Sequence, residues 1–257
     1  MKTIIILVAI CLATVASLPR QQERIIGGSL ASINSYPFAT GLQITSNGVR
    51  FQHACGGTIL NNRSILSAAH CWFRNPTANR YRVRVGSANS SSGGWLHNVA
   101  RLIGHPQHNM RTHDNDIGII RVSTAIQLGS ASVRAGSIAQ ANINIPDNSD
   151  VIAIGWGVTS QHAQVSSEQL RHVGLRTTNQ ARCQSAFGGF PITANMLCAN
   201  WEAGGRAACF GDSGTGLVFR GVVVGVCSFS GTECANGRWP NVFARVSRYT
   251  AWIRNNS

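Results

Sequence analysis

Three side chains in this sequence are of the types, and in the settings, that nucleophilic catalysis requires. Ser213 lies in Cys209-Phe-Gly-Asp-Ser-Gly214, where flanking glycines permit a tight turn that lifts a side chain out of the backbone and aims nearby N–H groups at one point. His70 lies in Ser67-Ala-Ala-His-Cys71 and Asp116 in Asp114-Asn-Asp-Ile-Gly-Ile-Ile120, each at the edge of an apolar, strand-like segment. A serine that attacks a carbonyl needs a base for its proton, an acid group to orient that base, and donors for the oxyanion. By residue type, His70 is the base, Asp116 the orienting group, and the backbone N–H groups of Gly211 and Ser213 the oxyanion donors. A lone G-D-S-G run is also an ordinary polar turn. The coincidence of all three settings is what points to chemistry.

The elements that must position these residues read as short strands. From residue 25 to about 244, runs rich in Val, Ile and Thr alternate with Gly, Asn and Ser clusters, for example at 82–85, 117–122, 151–154 and 221–227. Such a pattern suits an all-β barrel or sandwich. The 89–94 run reads as a loop, and residues 123–144, rich in Ala, Ser and Gly, as the crossing between two halves. Residues 246–257 alone have helical spacing, with Val246, Tyr249, Trp252 and Ile253 on one face and Arg248 and Arg254 on the other.

A chain of 257 residues, 44% hydrophobic, can bury a core as one large domain or two small ones. Residues 1–17 have the layout of a secretory signal peptide: Lys2, an apolar run over 4–15, then small residues at Ala16 and Ser17. That run is too short to span a membrane. The expected product is secreted and extracellular, with paired cysteines. The net charge of +13 raises polyanion binding, but the basic residues are scattered singly, with no zinc-finger spacing or basic helix, so neither nucleic acid nor membrane is expected as a partner. Lys2 is the only lysine, so the later cationic side chains are arginines. Lysine loses its proton near pH ~10.4 and arginine only above ~12, which points to alkaline surroundings such as a gut lumen, with compositional drift as the alternative.

The motifs Ile25-Ile-Gly-Gly28, S-A-A-H-C, N-D-I-G-I-I and G-D-S-G, in that order, resemble the trypsin/chymotrypsin-like serine protease family, in a divergent member of insect, lepidopteran gut-like type. The resemblance runs from Ile25 onward. It implies two six-stranded antiparallel Greek-key β-barrels, over about 25–125 and 126–245, a helix at 246–257, and a cleft holding His70 as general base, Asp116 as its orienting carboxylate and Ser213 as nucleophile. Residues 18–24 resemble a short propeptide. Cleavage after Arg24 would free the Ile25 amine to pair with Asp212, ordering the oxyanion hole. The family pattern further implies disulfides Cys55–Cys71, Cys183–Cys198 and Cys209–Cys234. It leaves Cys227 over, in a run that reads as a buried strand where a thiol behaves as a small apolar group. No cofactor or metal is expected: residues 25–113 contain no Asp or Glu for the calcium loop of some members, and His105 and His108 have no acid or Cys beside them. The other seven histidines, at 53, 97, 105, 108, 113, 162 and 172, are expected in surface or loop roles.

Departures from trypsin cluster in the specificity pocket. The position six before the nucleophile, a carboxylate in trypsin, is Ala207, followed by Ala208. Two wall positions that are glycine in trypsin and chymotrypsin are Ser230 and Asn241, and Phe229 stands where Trp is common. Ser228 is placed to hydrogen-bond Asp116. Thr215-Gly216 replaces the usual Gly-Pro, and a β-branched Thr restricts the turn. A narrow, uncharged pocket predicts an elastase-like preference for small or medium apolar side chains, with a chymotrypsin-like one second. Such an enzyme would not cut its own Arg24 bond, so a separate trypsin-like protease is the expected activator. Protein substrates, protein inhibitors and a monomeric state complete the expectation. The rival reading is a weak or inactive protease homologue that binds a polyanion or a protein. Asn62 and Asn89 begin glycosylation signals.

Overall fold

The computed structural model describes residues 25–257. The signal peptide and propeptide expected over residues 1–24, Arg24 included, lie outside the described residues. Thirteen strands are numbered here in chain order. After the two-residue β1 (Ser29–Leu30), six form a closed antiparallel barrel in the order β2-β3-β4-β7-β6-β5: β2 Ala39–Thr45, β3 Phe51–Ile59, β4 Ser64–Ser67, β5 Tyr81–Val85, β6 Trp95–Gly104 and β7 Gly118–Val122. The second barrel comprises β8 Asp150–Gly155, β9 Arg171–Thr178, β10 Met196–Asn200, β11 Gly216–Phe219, β12 Val222–Phe229 and β13 Asn241–Arg245. Its strands run β9-β10-β13-β12-β11-β8, and β8 pairs back onto β9 to close the ring. The fold class expected from the strand pattern is therefore present, with both sheets closed and their edges removed.

Some strands, such as β2, β4 and β12, are buried along nearly their whole length, while others show period-two alternation. In β9, Arg171, Val173, Leu175 and Thr177 are buried while Gly174 and Arg176 face outward. Residues 123–144 contain no strand and lie between β7 and β8. One segment departs from the expected division: β1 precedes the first barrel in sequence yet pairs with β9 of the second, Ser29 opposite His172. The chain start thus lies against the second barrel, and Ile25 is fully buried there.

The C-terminal segment divides in two. A 3-10 turn at Val246–Arg248 is followed by helix α3 (Thr250–Asn256), separated by Tyr249, whose φ of −117° is not helical. The predicted face is kept: Val246, Tyr249 and Ile253 are buried. The other two α-helices are α1 (His70–Phe73) and α2 (Gln180–Ala186). All three expected disulfides are present, and Cys227, on β12, is buried and is the one free cysteine among the described residues.

Gly118 shows how tightly the first barrel closes beneath α1, since a Cβ there would overlap the Trp72 indole. Trp72 is almost fully buried. Gly118→Ala should cost about 1–3 kcal/mol of overpacking, read as a fall of roughly 2–10 °C in thermal midpoint for a domain of this size. An unchanged midpoint by calorimetry would show that the indole can move aside.

Candidate active site

His70 opens α1 directly after β4, and the Cys55–Cys71 disulfide ties that short helix to β3. Asp116 ends the loop between β6 and β7, where His113 and Asn115 adopt the left-handed region, with φ of 54° and 55°. The loop is anchored on the second barrel. Asp114 Oδ1 accepts from Thr193 Oγ1 at 2.7 Å and Asn195 Nδ2 at 3.1 Å, and Asn115 Oδ1 lies 3.2 Å from the Tyr249 hydroxyl.

Asp116 is fully buried. Its Oδ1 accepts the His70 backbone N–H at 2.8 Å, and its Oδ2 lies 2.6 Å from His70 Nδ1 and accepts the Ser228 hydroxyl at 2.5 Å. Burial pushes this carboxyl up, but the imidazoles of His113 and His70 and the Ser228 hydroxyl together outweigh it and hold it well below the usual carboxylate range. An ionised Asp116 fixes the proton of neutral His70 on Nδ1 and leaves Nε2 with its lone pair.

Ser213 sits on the turn between β10 and β11. Gly211 and Gly214 have φ of 94° and 80°, which a side chain at either position would resist. The Ser213 carbonyl accepts from Gly56 N–H at 2.7 Å and Gly214 N–H donates to the Cys227 carbonyl at 2.8 Å, so both barrels grip the turn. Thr215 reinforces it, its hydroxyl donating to the Asp212 carbonyl at 2.6 Å.

His70 and Ser213 line one cavity of about 270 Å³ together with Ala208, Phe210, Ser228, Phe229, Ser230 and Asn241. No carboxylate is among its lining residues. Five of the six predicted pocket residues line it. Ala207 is buried behind, its N–H donating to the Ile26 carbonyl at 3.1 Å and its side chain only a methyl. Asn241 does not offer its amide to the cavity, because Oδ1 accepts the Ala208 N–H at 3.1 Å and Nδ2 donates to the Ala208 carbonyl at 2.9 Å. A larger groove of about 540 Å³ on the second barrel is lined by Arg176, Arg182 and Glu202. Arg182 pairs there with Glu202 and Arg176 with Asp150, Asp147 accepts from Asn179 Nδ2 at 2.8 Å, and the groove holds no serine or cysteine.

The expectation that the remaining histidines lie on the surface or in loops is corrected at several positions. His53, His97 and His172 lie in strands; His97 is buried by barrel closure and His53 half-buried. His53 Nε2 lies 2.8 Å from the Gly211 carbonyl, so its ring braces the Ser213 turn. His108, though in a loop, is almost completely buried, with Nε2 3.5 Å from Asp116 Oδ1. His113 packs edge-on to His70 and over Phe229, its Nδ1 3.9 Å from Asp116 Oδ2. Only His113, three residues from Asp116, had any signal in the sequence, and that signal needs the loop geometry to be read.

A model of the family described as Trypsin matches residues 25–253. The chain belongs to the trypsin family. It is 51% identical to Trypsin CFT-1 of Choristoneura fumiferana and 49% identical to the protein named Trypsin, alkaline C, of Manduca sexta, each over the whole of both chains. Achelase-1 of Lonomia achelous is 41% identical over 91% of this chain and all of its own length. Family membership makes the chain a serine endopeptidase acting on protein substrates.

The trypsin-family frame also contains Asp212, whose carboxylate is fully buried and accepts the N–H of Gly157 at 2.7 Å and of Cys209 at 3.0 Å. A Cβ on Gly155 or Gly157 would overlap it. Burial outweighs the two N–H groups and pushes this carboxyl up to about 7. The unfolded value is near ~3.9, so the folded chain binds the proton more tightly. That contribution to stability is complete below about pH 4 and is lost as pH rises through about 7. With the Ile25 nitrogen still bound to Arg24, the thermal midpoint of the full chain should therefore fall between pH 4.5 and 8 more steeply than that of Asp212→Asn. Parallel pH profiles of the two proteins would contradict this.

Proposed function

We propose that this serine endopeptidase is made as a secreted zymogen and cleaves beside uncharged side chains through Ser213, His70 and Asp116. The observation that supports the reading is His70, pinned at Nδ1 by a buried ionised carboxylate, facing the same acid-free cavity as Ser213. His70 Nε2 takes the Ser213 proton as Oγ attacks the scissile carbonyl, and returns it to the leaving amine as the acyl-enzyme forms. Backbone N–H groups of Gly211 and Ser213 stabilise the oxyanion. Water then repeats the sequence in reverse roles and releases the acid product.

Specificity follows from the cavity floor. A Lys or Arg side chain would enter a space with no carboxylate to meet it, while the cavity's Ala208, Phe229 and the self-satisfied Asn241 suit an apolar group. Phe210, largely exposed at the cavity, adds apolar surface. The relatives are named as trypsins, so cleavage after Lys or Arg is the competing outcome, and one observation favours the uncharged reading: Ala207 where trypsin carries its acid. Activation then depends on another protease cutting after Arg24. The freed Ile25 amine, on a residue already buried, would pair with Asp212 and keep both ionised.

Alkaline surroundings fit the titratable groups. Three relatives carry the word alkaline in their names, and burial raises all three tyrosines, Tyr36, Tyr81 and Tyr249, and the Cys227 thiol. Few side chains are left to titrate near pH ~10.

Two measurements test the reading. After treatment with trypsin, a fluorophosphonate should label Ser213, and Ser213→Ala should lose the label together with turnover, by on the order of a million-fold in kcat; an activated, folded sample that takes no label would instead indicate a binding homologue. A peptide-library profile at pH 7 and pH 10 should show cleavage after uncharged residues and retained activity at pH 10. Cleavage confined to Lys and Arg, or activity collapsing by pH 10, would overturn specificity or habitat respectively.

A further inference from the structure

Asp116 faces more imidazoles than proton transfer requires. His70 Nδ1 and His108 Nε2 lie 2.6 Å and 3.5 Å from its two oxygens, and His113 Nδ1 lies 3.9 Å from Oδ2. At that distance His113 Nδ1 is not hydrogen-bonded, and it is buried without a partner, as are both ring nitrogens of His108. Buried ring nitrogens lacking a partner are costly, and a group of them around one carboxylate calls for an explanation.

One nitrogen from His70, one from His113 and a carboxylate oxygen of Asp116 lie within 4.8 Å of one another. Two imidazoles and a carboxylate are the ligand set of open zinc sites, with a fourth position left to solvent, and are poorly matched to calcium or magnesium. The side chains of His70 and His113 are 19% and 28% exposed, so an ion can reach the set from the cleft. Cys55 and Cys71, also near His70, are closed as a disulfide and offer no thiolate.

We propose that His113, His70 and Asp116 form an inhibitory site for a borderline-soft divalent cation, Zn²⁺ or Cu²⁺, built into the catalytic centre. The inhibitory part rests on the reading of His70 as general base. A metal on Nδ1 of neutral His70 needs that nitrogen's lone pair, so the ring proton must move to Nε2 through solvent. Nε2 then has no lone pair for the Ser213 proton. Binding replaces the Nδ1–H bond to Asp116 by two bonds to the ion, with no redox change and no net proton release, and removing the ion restores the working tautomer.

The test separates binding from catalysis. Zinc chloride titrated calorimetrically into the Ser213→Ala protein, cleaved after Arg24 by added trypsin, should give one ion per molecule. His113→Asn should weaken that binding at least tenfold; Asn tolerates the left-handed backbone of residue 113, and a matching circular dichroism spectrum checks its fold. His162→Asn, at an exposed histidine elsewhere, should leave it unchanged. In the protein with Ser213 intact, zinc should inhibit peptide cleavage over the same concentrations, reversibly with chelator, with half-inhibition shifted at least tenfold in His113→Asn relative to that variant's own metal-free rate. No stoichiometric binding, or equal binding by His113→Asn, overturns the site. Binding at His113 without inhibition overturns the tautomer argument, and a folded protein that binds zinc but cleaves nothing overturns the protease reading while leaving the metal site intact.

Discussion

The buried carboxylate of Asp116 is the constraint on which the catalytic centre depends. An ionised carboxylate removed from water is tolerable only if its oxygens are fully engaged. Here the partners come from both barrels: the backbone and ring of His70 from the first, and the Ser228 hydroxyl of β12 from the second. The charge is therefore satisfied only when the barrels are docked in register. The same loop is bound across the boundary through Asp114 and Asn115, so docking and the placement of His70 are a single event.

Asp212 shows the opposite solution to the same problem. It is equally buried but meets two backbone N–H groups in place of imidazoles, and its carboxyl is driven up where that of Asp116 is driven down. Identical side chains about a hundred residues apart in sequence thus differ because of what surrounds them. The first is complete as it stands. The second is suited to a cation, and glycines at 155 and 157 leave the carboxylate the room that a Cβ at either position would take.

Around these two centres the scaffold carries few groups that change charge in alkali. The burial that closes the barrels also suppresses ionisation of the tyrosines and of Cys227. The arginines keep their charge because guanidinium does not deprotonate in this range. Net positive charge is spread over the surface, with pairs such as Arg182–Glu202 on exposed side chains that contribute little to stability.

Much of this was determined by local sequence. Runs rich in Val, Ile and Thr marked strands such as β5, β8 and β12; glycines on either side of Asp212-Ser213 marked the turn; and the family order of His70, Asp116 and Ser213 carried the disulfides and the two-barrel fold. The Ser228 contact to Asp116 was legible only through the family resemblance, which puts a serine at that position just before Phe229. What sequence could not determine was which side chains meet across barrels. The bracing of the Ser213 turn by His53, the burial of His97 and His108, the strand β1 crossing to the second barrel, the withdrawal of Asn241 onto Ala208 and the gathering of three imidazoles around Asp116 all depend on contacts between segments far apart in the chain or on left-handed turns that no side-chain pattern announces. Periodicity fixes which face of a strand points inward, but only the closure and docking of the barrels decides what it points at.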